Sequence, residues 1–309
     1  ILRAALMLAL LFTAFARAAD NDFDLRGSLI PADEIHAGGP PRDGIPALDD
    51  PKLISASAAD FLDPNDRVLG LTLDGESRAY PIAILNWHEI VNDRIGKHPV
   101  VVTYCPLCGT GVIFDAAVDG RRLDFGVSGL LYNSDVLLYD RQTESLWSQI
   151  KKQAVTGPMK GRRLRALPTT HTTWRAWRAS HPDTLVLSTD TGHARNYSRD
   201  PYGDYAAERG LYFPVSARSN RYHPKEWVLG LELNGEAKAY PFSELSRSDR
   251  AEIQDRVGGR KVEIRFDPAN RSATAHAADG EQLPAITGFW FAWYAFHPNT
   301  AVFTADGRR

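Results

Sequence analysis

The strongest constraint on the fold is a stretch of sequence that occurs twice. Val68-Leu69-Gly70-Leu71-Thr72-Leu73-Asp74-Gly75-Glu76-Ser77-Arg78-Ala79-Tyr80-Pro81 returns as Val228-Leu229-Gly230-Leu231-Glu232-Leu233-Asn234-Gly235-Glu236-Ala237-Lys238-Ala239-Tyr240-Pro241. In both, Asp-Gly or Asn-Gly between alternating segments signals a tight hairpin, and the closing proline can open a helix. Asp93-Arg94-Ile95-Gly96 likewise matches Asp255-Arg256-Val257-Gly258. Trp174, Trp177, His181-Pro182 and Thr184 match Trp290, Trp293, His297-Pro298 and Thr300. Self-similarity of this kind marks repeated supersecondary units. It predicts an α+β, strand-rich fold of two tandem pseudo-repeats, the second degenerate.

The expected organisation has five parts. Residues 1–19 read as a signal peptide: Arg3, an apolar run and the small-residue site Ala16-Arg17-Ala18. That run is shorter than the roughly 20 residues a spanning helix needs. No later stretch is long and apolar enough to span a membrane, so a periplasmic or secreted protein is expected. Residues 20–66, rich in Pro, Gly and Asp, form an irregular arm. Repeat one covers 67–190, an inter-repeat loop 191–226, and degenerate repeat two 227–309. Repeat one also carries an extra segment between about Asp119 and Leu167. A net charge of -2 over 309 residues gives no footprint for nucleic acid.

Comparing the two copies separates scaffold from chemistry. Laying Asp93 on Asp255 puts Cys105 on Asp267, Pro106 on Pro268 and Cys108 on Asn270. The second copy keeps the turn and lacks both thiols, which are the only cysteines in the chain. It also lacks a counterpart to His88. The pair lies between two β-branched or apolar runs, Val100 to Thr103 and Gly111 to Phe114, and so on a strand-to-strand turn. No helical pattern follows Cys108 to lower a thiolate pKa through its N-terminus. Cys-x-x-Cys turns serve as reversible disulfides, metal clamps or structural staples. A closed four-cysteine metal site is excluded within one chain.

Several motifs together resemble those of the bacterial family known as domain of unknown function 3179. They are Gly39 to Pro46, Ala79-Tyr80-Pro81, Trp87 to Asp93, Thr103-Tyr104-Cys105-Pro106-Leu107-Cys108-Gly109-Thr110, Leu146-Trp147-Ser148-Gln149 and Asp200-Pro201-Tyr202. Some relatives in that family are read as selenoproteins, so the resemblance implies redox use of the thiol site. The two cysteines carry over directly.

The candidate catalytic residues are Cys105, Cys108 and His88, the last as proton donor, thiolate stabiliser or ligand. Tyr104, Trp87, Glu89, Asp135, Tyr139, Arg141, Trp147 and His193 are expected to wall the pocket. Tyr197, Tyr202 and Tyr205 either line a cleft or anchor the long loop. Three functions stay open. One is a thiol/disulfide oxidoreductase with an unknown thiol or electron-transfer partner, one cysteine attacking and the other resolving. Another is a metal-binding protein holding Cu(I), the copper state that suits two thiolates and the His88 imidazole. The third is a scaffold with a structural disulfide. Gly-rich phosphate loops, H-E-x-x-H and G-x-S-x-G are absent, so those chemistries have no support.

Overall fold

A computed structural model describes residues 21–307, and the expected signal peptide lies outside the described residues. The protein is 40% strand and 13% helix, and its sheets are arranged as a five-bladed β-propeller. This corrects the expected α+β fold of two pseudo-repeats. The helices Ile82–His88, Trp174–Ser180, Phe242–Arg247 and Trp290–Phe296 have only six or seven residues. That is about two turns each, too short to build a layer.

The blades are nested in sequence. The first joins Ile35–Ala37, Phe125–Tyr132, Asp135–Asp140, Leu146–Ser148 and Gln153–Ala154. The second joins Arg165–Ala166, Thr110–Asp115, His98–Cys105, Ile90–Ile95 and Leu48–Asp49. In the third, the hairpin Arg67–Leu73 and Glu76–Pro81 is flanked by Thr170–Thr173 and by the parallel strand Leu185–Leu187, with Leu53–Ser55 outermost. The fourth places the hairpin Trp227–Leu233 and Glu236–Pro241 between Ile286–Phe289 and the parallel strand Ala301–Val302. The fifth is an antiparallel run of Glu252–Val257, Arg260–Asp267, Ser272–Ala277 and Gln282–Leu283. A small ribbon, Ala117–Val118 with Arg121–Arg122, stands beside these five.

The recurring sequence words mark positions in four blades and do not divide the chain into two α+β halves. The first glycine of each matched hairpin, Gly70 and Gly230, lies under a matched tryptophan. A Cβ on Gly70 would come within 2.2 Å of the Trp177 ring, and one on Gly230 within 2.1 Å of the Trp293 ring. Trp177 donates to Thr184 Oγ1 at 3.0 Å and stacks on His181; Trp293 donates to Thr300 Oγ1 at 2.9 Å and packs on His297. Tyr80 and Tyr240 donate to Asp93 and Asp255 at 2.7 and 2.9 Å, tying the third blade to the second and the fourth to the fifth.

Gly70→Ala and Gly230→Ala are each expected to destabilise the protein by about 1–3 kcal/mol, since the added methyl has no space. Urea unfolding reads this as a lowered midpoint. An unchanged midpoint in either variant would mean that its tryptophan is not seated on the backbone.

Candidate functional site

Strand His98–Cys105 enters the core with both faces covered and ends at the first thiol. The turn that follows is closed by the Cys108 N–H donating to the Cys105 carbonyl at 3.2 Å. Gly109 then takes φ +62, and a Cβ there would crowd the Trp227 and Phe289 rings of the fourth blade. Phe289 N–H donates to the Cys108 carbonyl at 2.8 Å. Two blades thus hold the turn from opposite sides. The two cysteines are free, so the disulfide of the scaffold reading is not formed here.

A second element meets the thiols from the first blade. Its central hairpin turns at Asn133 and Ser134, both with positive φ (53 and 65), as a two-residue primed turn requires. The Ser134 carbonyl faces the Cys105 thiol at 3.7 Å and the Cys108 thiol at 3.3 Å. The next residue, Asp135, brings a carboxylate oxygen into a set with the two sulfurs in which all three atoms lie within 4.8 Å of one another. None of the three residues is more than 1% exposed. Asp135 Oδ2 accepts from the Ile150 N–H at 3.2 Å, while its buried Oδ1 has no hydrogen-bond partner. Gln149 locks the two blades together here. Its amide donates to Thr103 Oγ1 at 2.8 Å and its carbonyl accepts from Thr110 Oγ1 at 2.6 Å.

Glu89 is the second buried carboxyl. The helix Ile82–His88 stops because Glu89 adopts φ +58, an uncommon conformation for a residue with a long side chain. The backbone then enters strand Ile90–Ile95. Among the described residues the side chain is held by the Tyr202 hydroxyl, which donates to Oε1 at 3.4 Å, and its charge reaches Asp135 and Cys105.

Burial without a cationic partner governs the electrostatics, because an ionised group in a low-dielectric interior costs several kcal/mol. It pushes the Glu89 and Asp135 carboxyls up to about 7 each. It also raises the Cys105 thiol, and the Cys108 thiol further. At rest the centre is a neutral dithiol beside two carboxyls poised to exchange protons at neutral pH.

The connection after the third blade covers this centre. Its one short 3-10 turn, Gly203–Ala206, puts the Tyr205 ring into the same apolar cluster as both cysteines, and the buried Tyr205 hydroxyl has no partner. Lys225 Nζ sits 3.8 Å from the centre of that ring and donates to the carbonyls of Tyr205, Glu208 and Gly210. Ser134 Oγ donates to the Phe213 carbonyl, and Ser216 donates to Asn133 Oδ1 through N–H and hydroxyl.

The other expected pocket residues are dispersed. His88 is buried and engaged at both nitrogens. Nδ1 faces the Pro46 carbonyl at 2.8 Å, which fixes the proton there, and Nε2 accepts from the Tyr197 hydroxyl at 2.7 Å. Burial lowers its pKa to about 4, so it is neutral at physiological pH, and the third group beside the sulfurs is Asp135. His193 packs on its ring at 5.3 Å. Trp87 donates to the Arg199 carbonyl. Tyr104 packs toward His171, in a different apolar cluster from the cysteines. Tyr139 donates to Asp43 under the Arg42 guanidinium, and Arg141 pairs with Asp49 at 2.8 Å. Trp147 shares the apolar cluster of the thiols and donates to Asp140. Ser134 and Lys225 carried no signal in the sequence; Gln149 was visible only as the end of a motif.

Fold and site together define a β-propeller protein with a buried dithiol-carboxylate centre at the junction of its blades. A family model described as "Protein of unknown function (DUF3179)" matches residues 42–300, and the chain belongs to that family. No curated protein and no solved structure matches it. Among the described residues no helix is long and apolar enough to cross a membrane.

The carboxyl of Glu89 sets a measurable pH dependence. Its proton is kept in the folded protein up to about 7 but lost from the unfolded chain near 4.5. The stability this lends is full below about 4.5 and disappears as pH rises through 7. Glu89→Gln cannot ionise, so its stability relative to the unsubstituted protein should improve by up to about 3 kcal/mol across that window. Urea unfolding at a series of pH values measures it, and parallel pH profiles for the two proteins would refute the assignment.

Proposed function

We propose that the chain is an exported thiol oxidoreductase whose Cys105–Cys108 pair cycles between dithiol and disulfide. The observation that carries this reading is the placing of two free, adjacent thiols beside a carboxylate oxygen with no other partner. A thiol buried in apolar surroundings is inert until a base removes its proton. Asp135 is that base, and Glu89 extends the proton path toward Tyr202.

The reaction balances with a disulfide as oxidant. One thiolate attacks a sulfur of the incoming disulfide, releasing its first thiol and forming a mixed disulfide. The second cysteine then attacks the first, closing the Cys105–Cys108 bond and releasing the second thiol. Two electrons pass to the substrate disulfide, and the carboxylates relay the two thiol protons to the two departing thiolates, which leave as thiols. The sulfurs have no direct exposure, so the substrate is small or displaces Tyr202 and Tyr205 as it enters.

Incubating the reduced protein with a small disulfide and counting free thiols by alkylation should show both cysteines lost together and regained with reductant. Cys105→Ser and Cys108→Ser should each bring turnover of that disulfide to background. Retained turnover in both variants, or thiols that never oxidise as a pair, would overturn the reading.

A further inference from the structure

We propose that the reduced centre is also a binding site for a thiophilic divalent cation of the zinc class, held by Cys105 Sγ, Cys108 Sγ and Asp135, and emptied when the pair is oxidised. The redox half of this statement rests on the oxidoreductase reading; the binding half does not.

The geometry is close to what zinc requires. With bonds of about 2.0–2.3 Å, ligand atoms around a tetrahedral ion are roughly 3.3–3.8 Å apart. The two sulfurs and the Asp135 oxygen already lie within 4.8 Å of one another, so contraction by small side-chain rotations suffices. The donors come from two blades fixed to each other by Gln149, and their separation is thereby set before any ion arrives.

A second observation points to a ligand independently of the donor count. Among the described residues, Asp135 Oδ1 is buried with no N–H or O–H donor and only the weakly donating thiols beside its carboxyl, a poor substitute for an acceptor whose unmet hydrogen bond costs about 1–3 kcal/mol. The Tyr205 hydroxyl, whose charge would reach both sulfurs, is buried and unpartnered as well. An ion at the sulfurs replaces those weak donors with a full positive charge. Three protein donors leave a fourth position, which a water can take.

The donor set also selects the ion. Two thiolates exclude the hard cations magnesium and calcium, and the carboxylate favours a borderline divalent ion over Cu(I), which prefers sulfur and imidazole. The imidazole of His88 is spent on Pro46 and Tyr197, so the copper set expected from sequence is replaced by one with Asp135.

Loading and release balance. Binding displaces the two thiol protons and whatever proton Asp135 carries, so each ion taken up by the dithiol releases between two and three protons, more at lower pH. Oxidation by a disulfide moves two electrons from the sulfurs to the oxidant, joins the sulfurs to each other, and leaves the carboxylate as the one remaining anionic donor. The ion then dissociates.

The test uses the full chain, reduced under anaerobic conditions, with zinc alone as the probe and a chromophoric chelator as competitor. One zinc per chain is expected, with between two and three protons released per ion in weakly buffered solution. The disulfide form should bind none. Asp135→Asn should bind at least tenfold more weakly, while Asp135→Glu should keep part of the affinity. Cobalt(II) should show sulfur-to-metal charge transfer that is lost on oxidation, a comparison that needs no substitution. Undiminished binding in Asp135→Asn would overturn the three-donor site. A pair that cycles but takes no zinc would overturn the site and leave the oxidoreductase reading standing. Zinc held by a pair that never oxidises would do the reverse.

Discussion

The structure depends on how small sheets cover one another. A blade of four or five short strands cannot bury both of its faces alone, so every blade is completed by its neighbours. The close approach of Trp177 to Gly70 and of Trp293 to Gly230 shows how tightly a short helix is laid on its hairpin. The thiol turn lies where the second blade meets the first and the fourth, and it inherits its rigidity from those contacts. Gln149 joins two strands of one blade to the edge of another through hydroxyl groups that have no access to water. Removing that amide would leave the buried hydroxyls of Thr103 and Thr110, both in the second blade, short of a partner each.

Much of the local structure was legible in the sequence. Asp74-Gly75 and Asn234-Gly235 turn hairpins, the prolines that follow open helices, and the cysteines stand between strands. The architecture was not legible, because in sequence the matched words divide the chain into two halves. In space they fall in separate blades, and the first blade, built from Ile35–Ala37 and strands between Phe125 and Ala154, has no matching sequence. Short helices weighed too heavily as well, since a seven-residue apolar pattern looks the same whether it forms a layer or a lid.

The site was half legible for a related reason. Cysteines announce themselves, and a histidine present in only one copy draws notice. Whether that histidine faces the thiols depends on one backbone angle. Glu89 takes a left-handed conformation that aims its own side chain inward and leaves His88 with Pro46 and Tyr197. Asp135 stood among several equivalent polar residues until the Asn133-Ser134 turn placed it against the sulfurs. Tyr202 and Tyr205 reach the centre from far along the chain, through a connection with no periodicity to read.

Lys225 has a consequence of a different kind. Its ammonium grips three backbone carbonyls of the covering connection and no carboxylate. Every residue type supplies a carbonyl, so the grip does not depend on which side chains stand at 208 and 210. The cover over the thiols can therefore drift in sequence, and change what it presents to an incoming molecule, while the clamp that seats it stays the same.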